Sequence, residues 1–252
     1  MKKIIRIVVV FISVILMFLA CSPKKVLVVG TSPDFMPYQF LDEDGTMIGF
    51  DIDFMNEIGS RIGHKIEWRA MEFIDILPAV ASGDIDAGIS AITITAQRLQ
   101  EVLFSTAYTT NVQVLVVRNE DESWNNLDKY QIEERLSGNI RIGACDNYVG
   151  LFYAEKIIGE EGTLIDYLNF SLALEALKSD LIDVIIMDRM VARKTAEIVE
   201  NNIKIVDVTL TTENYGIAMN PENDLLKEKI DQAIIDIFED GTLEKLTIYW
   251  KE

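Results

Sequence analysis

The chain has 252 residues, of which 41 are Asp or Glu, 23 are Lys or Arg and one is His, so its formal net charge is -18. Such an acidic balance argues against nucleic-acid binding through a broad basic face. Apolar residues make up 49% and charged residues 25%, which is typical of a globular core and excludes a disordered tail or a multi-span membrane protein. One His and two Cys cannot build a Cys/His zinc site or a disulfide framework, and we expect no metal and no cofactor.

The first twenty residues have the pattern of a secretory signal peptide. Lys2, Lys3 and Arg6 precede an apolar run over residues 7–20, which is short for a bilayer span. The run ends in Phe-Leu-Ala-Cys at residues 18–21, which resembles a bacterial lipoprotein box, where the cysteine is lipidated and becomes the first mature residue. Phe18 departs from the usual Leu. An uncleaved N-terminal anchor and plain cleavage near residue 20 therefore remain alternatives to lipidation at Cys21.

A lipid at Cys21 would fix the location of the protein. We expect the folded part to stay in water at the periplasmic or outer surface of a bacterial membrane, attached through the lipid. Cys145 would then have no partner for an internal disulfide.

Two α/β series follow along the chain. In the first, the apolar pattern predicts strands at residues 26–29, 65–69 and 86–90, and helices at 51–62, at 73–81 and from Thr95 onward. In the second, it predicts strands at 141–144, 164–168 and 183–187 and helices at 149–158, at 172–178 and from Val191 onward. Extended segments at 112–117, 203–208 and 215–219 and a final helix at 225–238 complete the prediction.

These series predict an α/β fold with two lobes, each a mainly parallel sheet flanked by helices. We expect residues 24–111 and 216–252 to form lobe 1 and residues 112–215 to form lobe 2. Without a Pro/Gly-rich linker, the lobes would be joined by two crossing strands, and a cleft would lie between them.

Candidate binding residues follow the predicted strands, where ligands bind in open α/β sheets. Arg98 can fork onto a carboxylate, and the hydroxyls of Ser90 and Thr93 can donate to the same anion. Asp188 leaves a buried strand of the other lobe and offers a carboxylate to an ammonium group. Aromatic faces from Phe35, Tyr38 or Phe73 could pack on the ligand stem. Together these groups complement an α-amino acid zwitterion.

The motifs on which these residues lie resemble those of periplasmic amino-acid-binding proteins of ABC importers, solute-binding protein family 3. The similarity includes Gly-Phe-Asp-Ile-Asp at 49–53, Gly-Asp-Ile-Asp-Ala at 83–87, Ile-Thr-Ile-Thr at 92–95 followed by Arg98, Tyr-Gly-Ile-Ala at 215–218 and Asp-Gly-Thr-Leu-Glu-Lys at 240–245. It extends over nearly the whole mature chain. The family implies the two-lobed periplasmic binding protein fold.

The resemblance also implies roles for individual residues. Arg98 and Thr93 would grip the ligand α-carboxylate, with Ser90 and Ala91 lining it partly through their backbone. Asp188 would receive the α-ammonium. Phe35 and Phe73 would sandwich the ligand side chain, with Tyr38 beside it.

Two departures from the family pattern concern further possible contacts. Ser32 stands where many members carry Asp, which removes one partner for an ammonium or a cationic side chain. Cys145, Asp146 and Tyr148 belong to a segment that replaces the common Gly-Thr turn closing the carboxylate side from lobe 2. Ser32, Asp146 and Tyr148 are therefore possible rather than assigned ligand contacts.

Simpler interpretations exist for the same residues. Arg98 could pair with Glu101 on a helix surface, Asp188 could cap the following helix, and the aromatic rings could be ordinary core. Asp51 and Asp53 fit a helix start, where negative charge is favoured, better than a catalytic pair.

The favoured function is capture of a polar amino acid by lobe closure and its delivery to an ABC importer permease, by a monomeric protein that is not an enzyme. The alternative is a secreted, dehydratase-like enzyme of the same fold, which would need an acid or base with a tuned pKa in the cleft. Without an acid at position 32 the sequence favours a neutral polar ligand, although Asp146 or Glu residues near the cleft leave a basic one open.

Overall fold

The structure is a computed structural model that describes residues 25–146, 148–198 and 202–251. The predicted signal segment and Cys21 lie outside the described residues. No helix within the described ranges is long and apolar enough to cross a membrane.

Two sheets form the centres of two lobes, as the sequence predicted. The first sheet has the strand order β5-β1-β6-β14-β7, in which β1 pairs in parallel with β5 and β6, while β14 pairs antiparallel with β6 and β7. Its strands are β1 (Lys25–Thr31), β5 (His64–Ala70), β6 (Ala87–Gly88), β7 (Leu103–Phe104) and β14 (Ala218–Met219). It is accompanied by helices α1 (Phe50–Arg61), α2 (Phe73–Ser82), α7 (Asp224–Glu239) and α8 (Thr242–Lys251).

The second sheet has the order β10-β9-β11-β8-β12, in which β9, β10 and β11 are parallel and β8 is antiparallel to its neighbours. Its strands are β8 (Thr109–Arg118), β9 (Arg141–Cys145), β10 (Thr163–Tyr167), β11 (Val184–Asp188) and β12 (Ile203–Val206). The accompanying helices are α3 (Lys129–Leu136), α4 (Val149–Ile157), α5 (Phe170–Lys178) and α6 (Arg189–Ile198).

The lobes are joined by β8 and by β13 (Thr212–Tyr215), which pair antiparallel from Thr212 opposite Val112 to Tyr215 opposite Thr109. The predicted extended segment 215–219 is therefore two short strands in different sheets. The chain leaves the second sheet at β13 and enters the first at β14. The two crossings lie side by side, and we keep the division at residues 111–112 and 215–216 as a prediction.

One predicted helix is wrong. The helix expected from Thr95 is a single 3₁₀ turn, Arg98–Gln100, because the chain on either side is held by tertiary pairing. Thr93 bridges to Tyr215 before the turn, and β7 begins at Leu103 after it. Little chain is left for helical turns between these contacts.

The sequence analysis missed several short elements. A small antiparallel sheet is formed by β2 (Asp34–Phe35), β3 (Gln39–Leu41) and β4 (Met47–Ile48), and helices α3 and α8 were also not predicted. This small sheet brings Gly49 against the carbonyl of Tyr38, where an added Cβ would lie 2.3 Å from the oxygen and the φ is +134°. Only glycine fits there, and α1 begins directly after it.

Candidate functional site

The two crossing strands contribute a row of buried polar side chains that the sequence analysis did not nominate. Asn111 and Gln113 lie two residues apart on β8, and Glu213 and Tyr215 lie two residues apart on β13. Side chains alternate between the faces of a strand, so each pair points to one face. Polar residues at alternate positions of an otherwise apolar strand were the sequence signal that could have identified them.

Asp188, the last residue of β11, is 3% exposed and lies against this row. Its carboxylate accepts hydrogen bonds from the Nδ2 of Asn111 and the hydroxyl of Tyr215. The pKa of Asp188 is raised to about 7, first by burial and then by the nearby charge of Glu213, while hydrogen bonds from its neighbours oppose the shift. Asp188 is thus a buried acid whose side-chain hydrogen-bond partners in the described part of the chain are neutral. Its carboxylate bonds to Asn111 and Tyr215, so its role is not limited to capping the helix that follows.

Arg98 is 8% exposed and is therefore not the surface helix residue of the simpler interpretation. Its Nη1 donates to the carbonyl of Thr93 at 2.9 Å, and its guanidinium lies over the ring of Phe73, 5.6 Å from the centroid. Burial lowers the pKa of Arg98, while attraction to Glu213 opposes the shift. The turn around it is closed by its own amide, which donates to the Oγ1 of Thr95 at 3.2 Å.

Arg98 and Asp188 come from different lobes but have two electrostatic neighbours in common. Glu213 perturbs the pKa of both, and Tyr148 is influenced by the charges of both. Glu213 itself accepts from the hydroxyls of Thr93 at 3.2 Å and Thr211 at 2.8 Å. A cation and an acid from the two lobes are therefore both within electrostatic reach of Glu213, and their sharing of one ligand space stays a prediction.

Ser90, Ala91 and Ser32 belong to one hydrogen-bonded unit of lobe 1. The Oγ of Ser90 accepts from the amide of Ser32 at 3.1 Å and from the Nε2 of Gln39 at 2.9 Å. Ala91 has a φ of +49°, an uncommon value for a residue other than glycine, and its amide donates to the Oδ2 of Asp51 at 2.7 Å. Hydrogen bonds to the buried side chains of Gln39 and Asp51 therefore hold the loop that carries Ser90 and Ala91.

Asp51 and Asp53 lie in the first turn of α1, as the sequence predicted. Asp51 is also fully buried, and it accepts from the hydroxyl of Tyr108, at 2.9 and 3.0 Å from its two oxygens. Asp53 accepts from the Nε1 of Trp250 at 2.8 Å. The two acids of one helical turn thus serve different contacts.

The aromatic residues form a continuous cluster across the cleft. Tyr148 stacks on Phe73 with centroids 4.4 Å apart and lies 5.3 Å from Phe35 and 5.4 Å from Phe170. Phe170 was not nominated from the sequence. Tyr38 is 1% exposed and packs on Tyr215 at 5.5 Å, which places it in the core beneath the cluster.

An acidic rim borders the same cluster on its solvent side. A small cavity there is lined by residues of both lobes, namely Ser32, Asp34, Glu72, Phe73, Ile74, Asp146, Tyr148 and Leu168. Asp34, Glu72 and Asp146 are exposed carboxylates, and Asp34 also accepts from the hydroxyl of Ser32 at 3.1 Å. Asp34 and Glu72 had not been nominated, because acids in turns give no sequence signal.

Cys145 does not face this rim as a reactive thiol. It is fully buried at the end of β9, and burial raises the pKa of its thiol, with Asp34 and Asp188 adding to the shift. Across the described ranges, no group of three or more His, Cys, Asp or Glu side chains is placed to hold a metal ion.

Comparison with known proteins agrees with this architecture. The family description "Bacterial extracellular solute-binding proteins, family 3" matches residues 27–252. The chain belongs to this family. It is 30% identical over 233 residues to a probable histidine-binding protein of Neisseria gonorrhoeae, and the match covers 90% of this chain and 83% of the relative.

Solved structures give the same result. An ancestral arginine-binding protein bound to arginine matches with a TM-score of 0.83 and 32% identity, covering 92% of this chain and 100% of the other. The ancestral amino acid-binding protein AncCDT-1, described as a precursor of cyclohexadienyl dehydratase, matches with a TM-score of 0.81 and 25% identity, covering 90% of this chain and 96% of the other. The two-lobed fold and the family predicted from the sequence are confirmed.

Proposed function

We propose that this extracellular solute-binding protein captures an amino acid with a cationic side chain between its lobes and delivers it to the permease of an ABC importer. The observation that carries the proposal is that Arg98 from lobe 1 and the buried acid Asp188 from lobe 2 both lie within electrostatic reach of Tyr148, beside a cavity with an acidic rim. A zwitterion with a positive side chain complements that charge arrangement.

The head group of the ligand is assigned to buried side chains. Arg98 and Thr93 bind the α-carboxylate, with Ser90 and the backbone of Ala91 lining it, because a guanidinium and hydroxyls form strong charge-assisted hydrogen bonds to an anion. Asp188 binds the α-ammonium. Burial of both charged residues supports this assignment, since water competes little with the ligand there.

The side chain of the ligand is proposed to contact the aromatic cluster and the acidic rim. Phe35 and Phe73 supply faces for the stem, and a cation over an aromatic face is attracted by the ring. Asp34, Glu72 and Asp146 supply negative charge beyond the rings. The sequence alone favoured a neutral ligand because Ser32 lacks a charge; the rim carboxylates and the histidine- and arginine-binding relatives favour a cationic one.

Closure of the lobes follows from the division of the contacts. The carboxylate partners lie on lobe 1 and Asp188 on lobe 2, so a zwitterion gains both sets of bonds only when the lobes approach. A ligand shifts a conformational equilibrium by its differential affinity for the two states. The closed form is the one that the permease receives.

We further propose that the chain binds its ligand without converting it. AncCDT-1 makes a dehydratase-like activity the relevant alternative, and the pKa of Asp188 near 7 would suit proton transfer. Mass spectrometry of candidate amino acids and of prephenate-like acids after incubation with the protein distinguishes the two. Recovery of every compound unchanged supports binding, and any product supports catalysis.

The central test is titration calorimetry of the purified protein with arginine, lysine, histidine, glutamine and glutamate. We expect heat with at least one cationic amino acid and none with glutamate. Arg98→Ala should weaken binding by roughly a hundredfold or more, because it removes a buried charge-assisted contact. Arg193→Ala, at an exposed arginine paired with Asp207 at 3.2 Å, is the matched control and should bind normally. Unchanged affinity in Arg98→Ala would refute the assignment.

We also propose that Cys21 carries the lipid that holds the protein at a bacterial membrane. The support is the sequence at residues 18–21. Expression of Cys21→Ser with radiolabelled palmitate tests it. The protein with Cys21 should incorporate label and sediment with membranes, and the variant should do neither.

A further inference from the structure

Tyr148 occupies the position between the two rings that should sandwich the ligand side chain. Its ring stacks on Phe73 with centroids 4.4 Å apart and planes inclined by 20°, and it lies 5.3 Å from Phe35. Phe170 lies 5.4 Å from Tyr148 in an edge-on arrangement and 5.6 Å from Phe35. Tyr148 belongs to lobe 2, whereas Phe35 and Phe73 belong to lobe 1, so this contact also joins the lobes.

The same side chain also lies among the groups assigned to the ligand head. Burial raises the pKa of Tyr148 well above its usual value, with Asp34, Cys145 and Asp188 adding to the shift and Arg98 opposing it. The phenol is thus within electrostatic reach of both Arg98 and Asp188. An aromatic ring with a polar end therefore fills space that an amino acid would need.

Two cavities adjoin Phe73. On the side of Asp34 and Asp146 the cavity is about 20 Å³, which is room for about one water molecule. A second cavity, of about 220 Å³, is lined by Phe73, Arg98 and Phe152 among others. Phe73 and Ile74 line both cavities, whereas Tyr148 lines only the smaller one. The cavity beside Tyr148 is too small for an amino acid while the ring is in place.

The backbone allows the ring to leave. Tyr148 is the residue before α4, with extended dihedral angles of φ -85° and ψ 154°, and its side chain makes no capping hydrogen bond to the helix. Rotation about its side-chain torsions would break aromatic contacts but no helical hydrogen bond. Its neighbour Gly150, by contrast, is fixed against the carbonyl of Ile186.

We propose that Tyr148 is an internal occupant of the ligand site, and that its ring must swing out before an amino acid binds. The proposal rests on the function proposed above. Its consequence is that the apparent dissociation constant equals the intrinsic one divided by the fraction of molecules in which the ring is out. Tyr148 therefore sets the affinity and favours ligands whose side chains replace an aromatic contact.

Titration calorimetry with arginine, lysine and histidine tests the proposal on the wild type, Tyr148→Ala and Tyr148→Phe. If the ring occupies the site nine-tenths of the time, Tyr148→Ala should bind about tenfold more tightly than the wild type. Tyr148→Phe should stay close to the wild type, because the ring is the occupant. Tyr249→Ala, at a 74% exposed tyrosine of α8, controls for loss of an aromatic ring as such and should change nothing.

Weaker or equal binding by Tyr148→Ala would overturn the proposal, since it would make Tyr148 a ligand contact or a bystander. Measurable binding by Tyr148→Ala, with none by the wild type, would support the proposal strongly. If neither the wild type nor Tyr148→Ala releases heat with any of the three amino acids, the proposed function is refuted, and this inference with it.

A second measurement on the wild type covers the case in which Tyr148→Ala does not fold. Tetranitromethane nitrates exposed tyrosines, and peptide mass spectrometry reports the reaction at Tyr148. Nitration should be slow in the empty protein and several-fold faster with saturating arginine, while Tyr249 reacts equally in both. Unchanged or slower nitration of Tyr148 in the presence of a ligand that binds would contradict the displacement.

Discussion

The Oδ2 atom of Asp51 lies 2.7 Å from the backbone nitrogen of Ala91, although the two residues are 40 positions apart in the chain. Asp51 is in the first turn of α1, and Ala91 is in the loop proposed to line the ligand carboxylate. The buried hydroxyl of Tyr108 completes the contact at 2.9 Å from Oδ1. The helix therefore fixes the backbone of the binding loop, including the positive φ of Ala91.

Substitution of this acid should harm both stability and binding. Asp51→Asn keeps the shape, but its amide NH₂ would face either the amide of Ala91 or the hydroxyl of Tyr108, both of which donate to Asp51. We therefore expect the free energy of unfolding to fall by about 1–3 kcal/mol. Affinity for the ligand should fall as well, because the loop loses its support. Urea unfolding and calorimetry measure the two effects.

The control is Asp53→Asn in the same helical turn, where the side chain bonds only to Trp250 among its described hydrogen bonds. It should leave affinity unchanged. Equal loss of affinity in both variants would mean that helix stability, and not the contact to Ala91, supports the loop.

Binding should depend on pH through Asp188. Its pKa is raised to about 7 in the empty protein, mainly by burial and then by Glu213, and only the ionised form attracts an ammonium group. Affinity should therefore rise with pH up to about 7 and level off above it, by up to tenfold per pH unit. At pH 6, calorimetry in buffers of different ionisation enthalpy should detect release of a proton on binding, which vanishes by about pH 8.5.

The stability of the empty protein should show the opposite dependence. A carboxyl whose pKa is higher in the folded state binds more protons when folded, so its contribution to stability is full below about pH 4 and is lost as pH rises through about 7. Asp188→Asn should remove this dependence. We expect it to unfold at higher urea concentration than the wild type at pH 8, by about 1 kcal/mol or more, while losing ligand affinity. A variant less stable than the wild type at pH 8 would contradict the burial argument.

Glu213 should tune the acid beside it. Its charge raises the pKa of Asp188 and attracts Arg98, and it lies on the crossing strand β13. Glu213→Gln removes that charge at nearly constant volume, so the pH at which affinity reaches half its maximum should shift downward. Glu222→Gln, at an exposed position beyond β14, is the control. An unshifted pH profile would show that burial alone sets the pKa of Asp188.

Gly150 at the start of α4 should tolerate no side chain. An added Cβ would lie 2.7 Å from the backbone oxygen of Ile186, which cannot move without shifting β11. Gly150→Ala should lower the free energy of unfolding by about 1–3 kcal/mol. Gly138→Ala, whose Cβ would lie 3.4 Å from the carbonyl of Arg135, should be nearly neutral, and thermal unfolding compares the two.

The sequence predicted most of the helices and strands because the spacing of apolar residues matches the buried face of each element. Ile52, Met55 and Ile58 recur at helical spacing and are the buried face of α1, and the run at residues 26–29 is part of the parallel strand β1. The small three-stranded sheet at residues 34–48 was missed because two- and three-residue strands carry no periodicity. The helix expected at Thr95 was wrong because pairing of Thr93 with Tyr215 outweighs local preference.

The sequence by itself determined the acidic charge, the two-lobed α/β order and the family, since composition, hydrophobic period and motif spacing are properties of the linear chain. It also nominated Arg98 and Asp188. Only the tertiary structure decided that Asp51 bonds to the backbone of Ala91, that the charge of Glu213 acts on both proposed ligand partners, and that Tyr148 stacks on Phe73. These are contacts between residues far apart in the chain, and their energies come from burial and proximity, which no local pattern encodes.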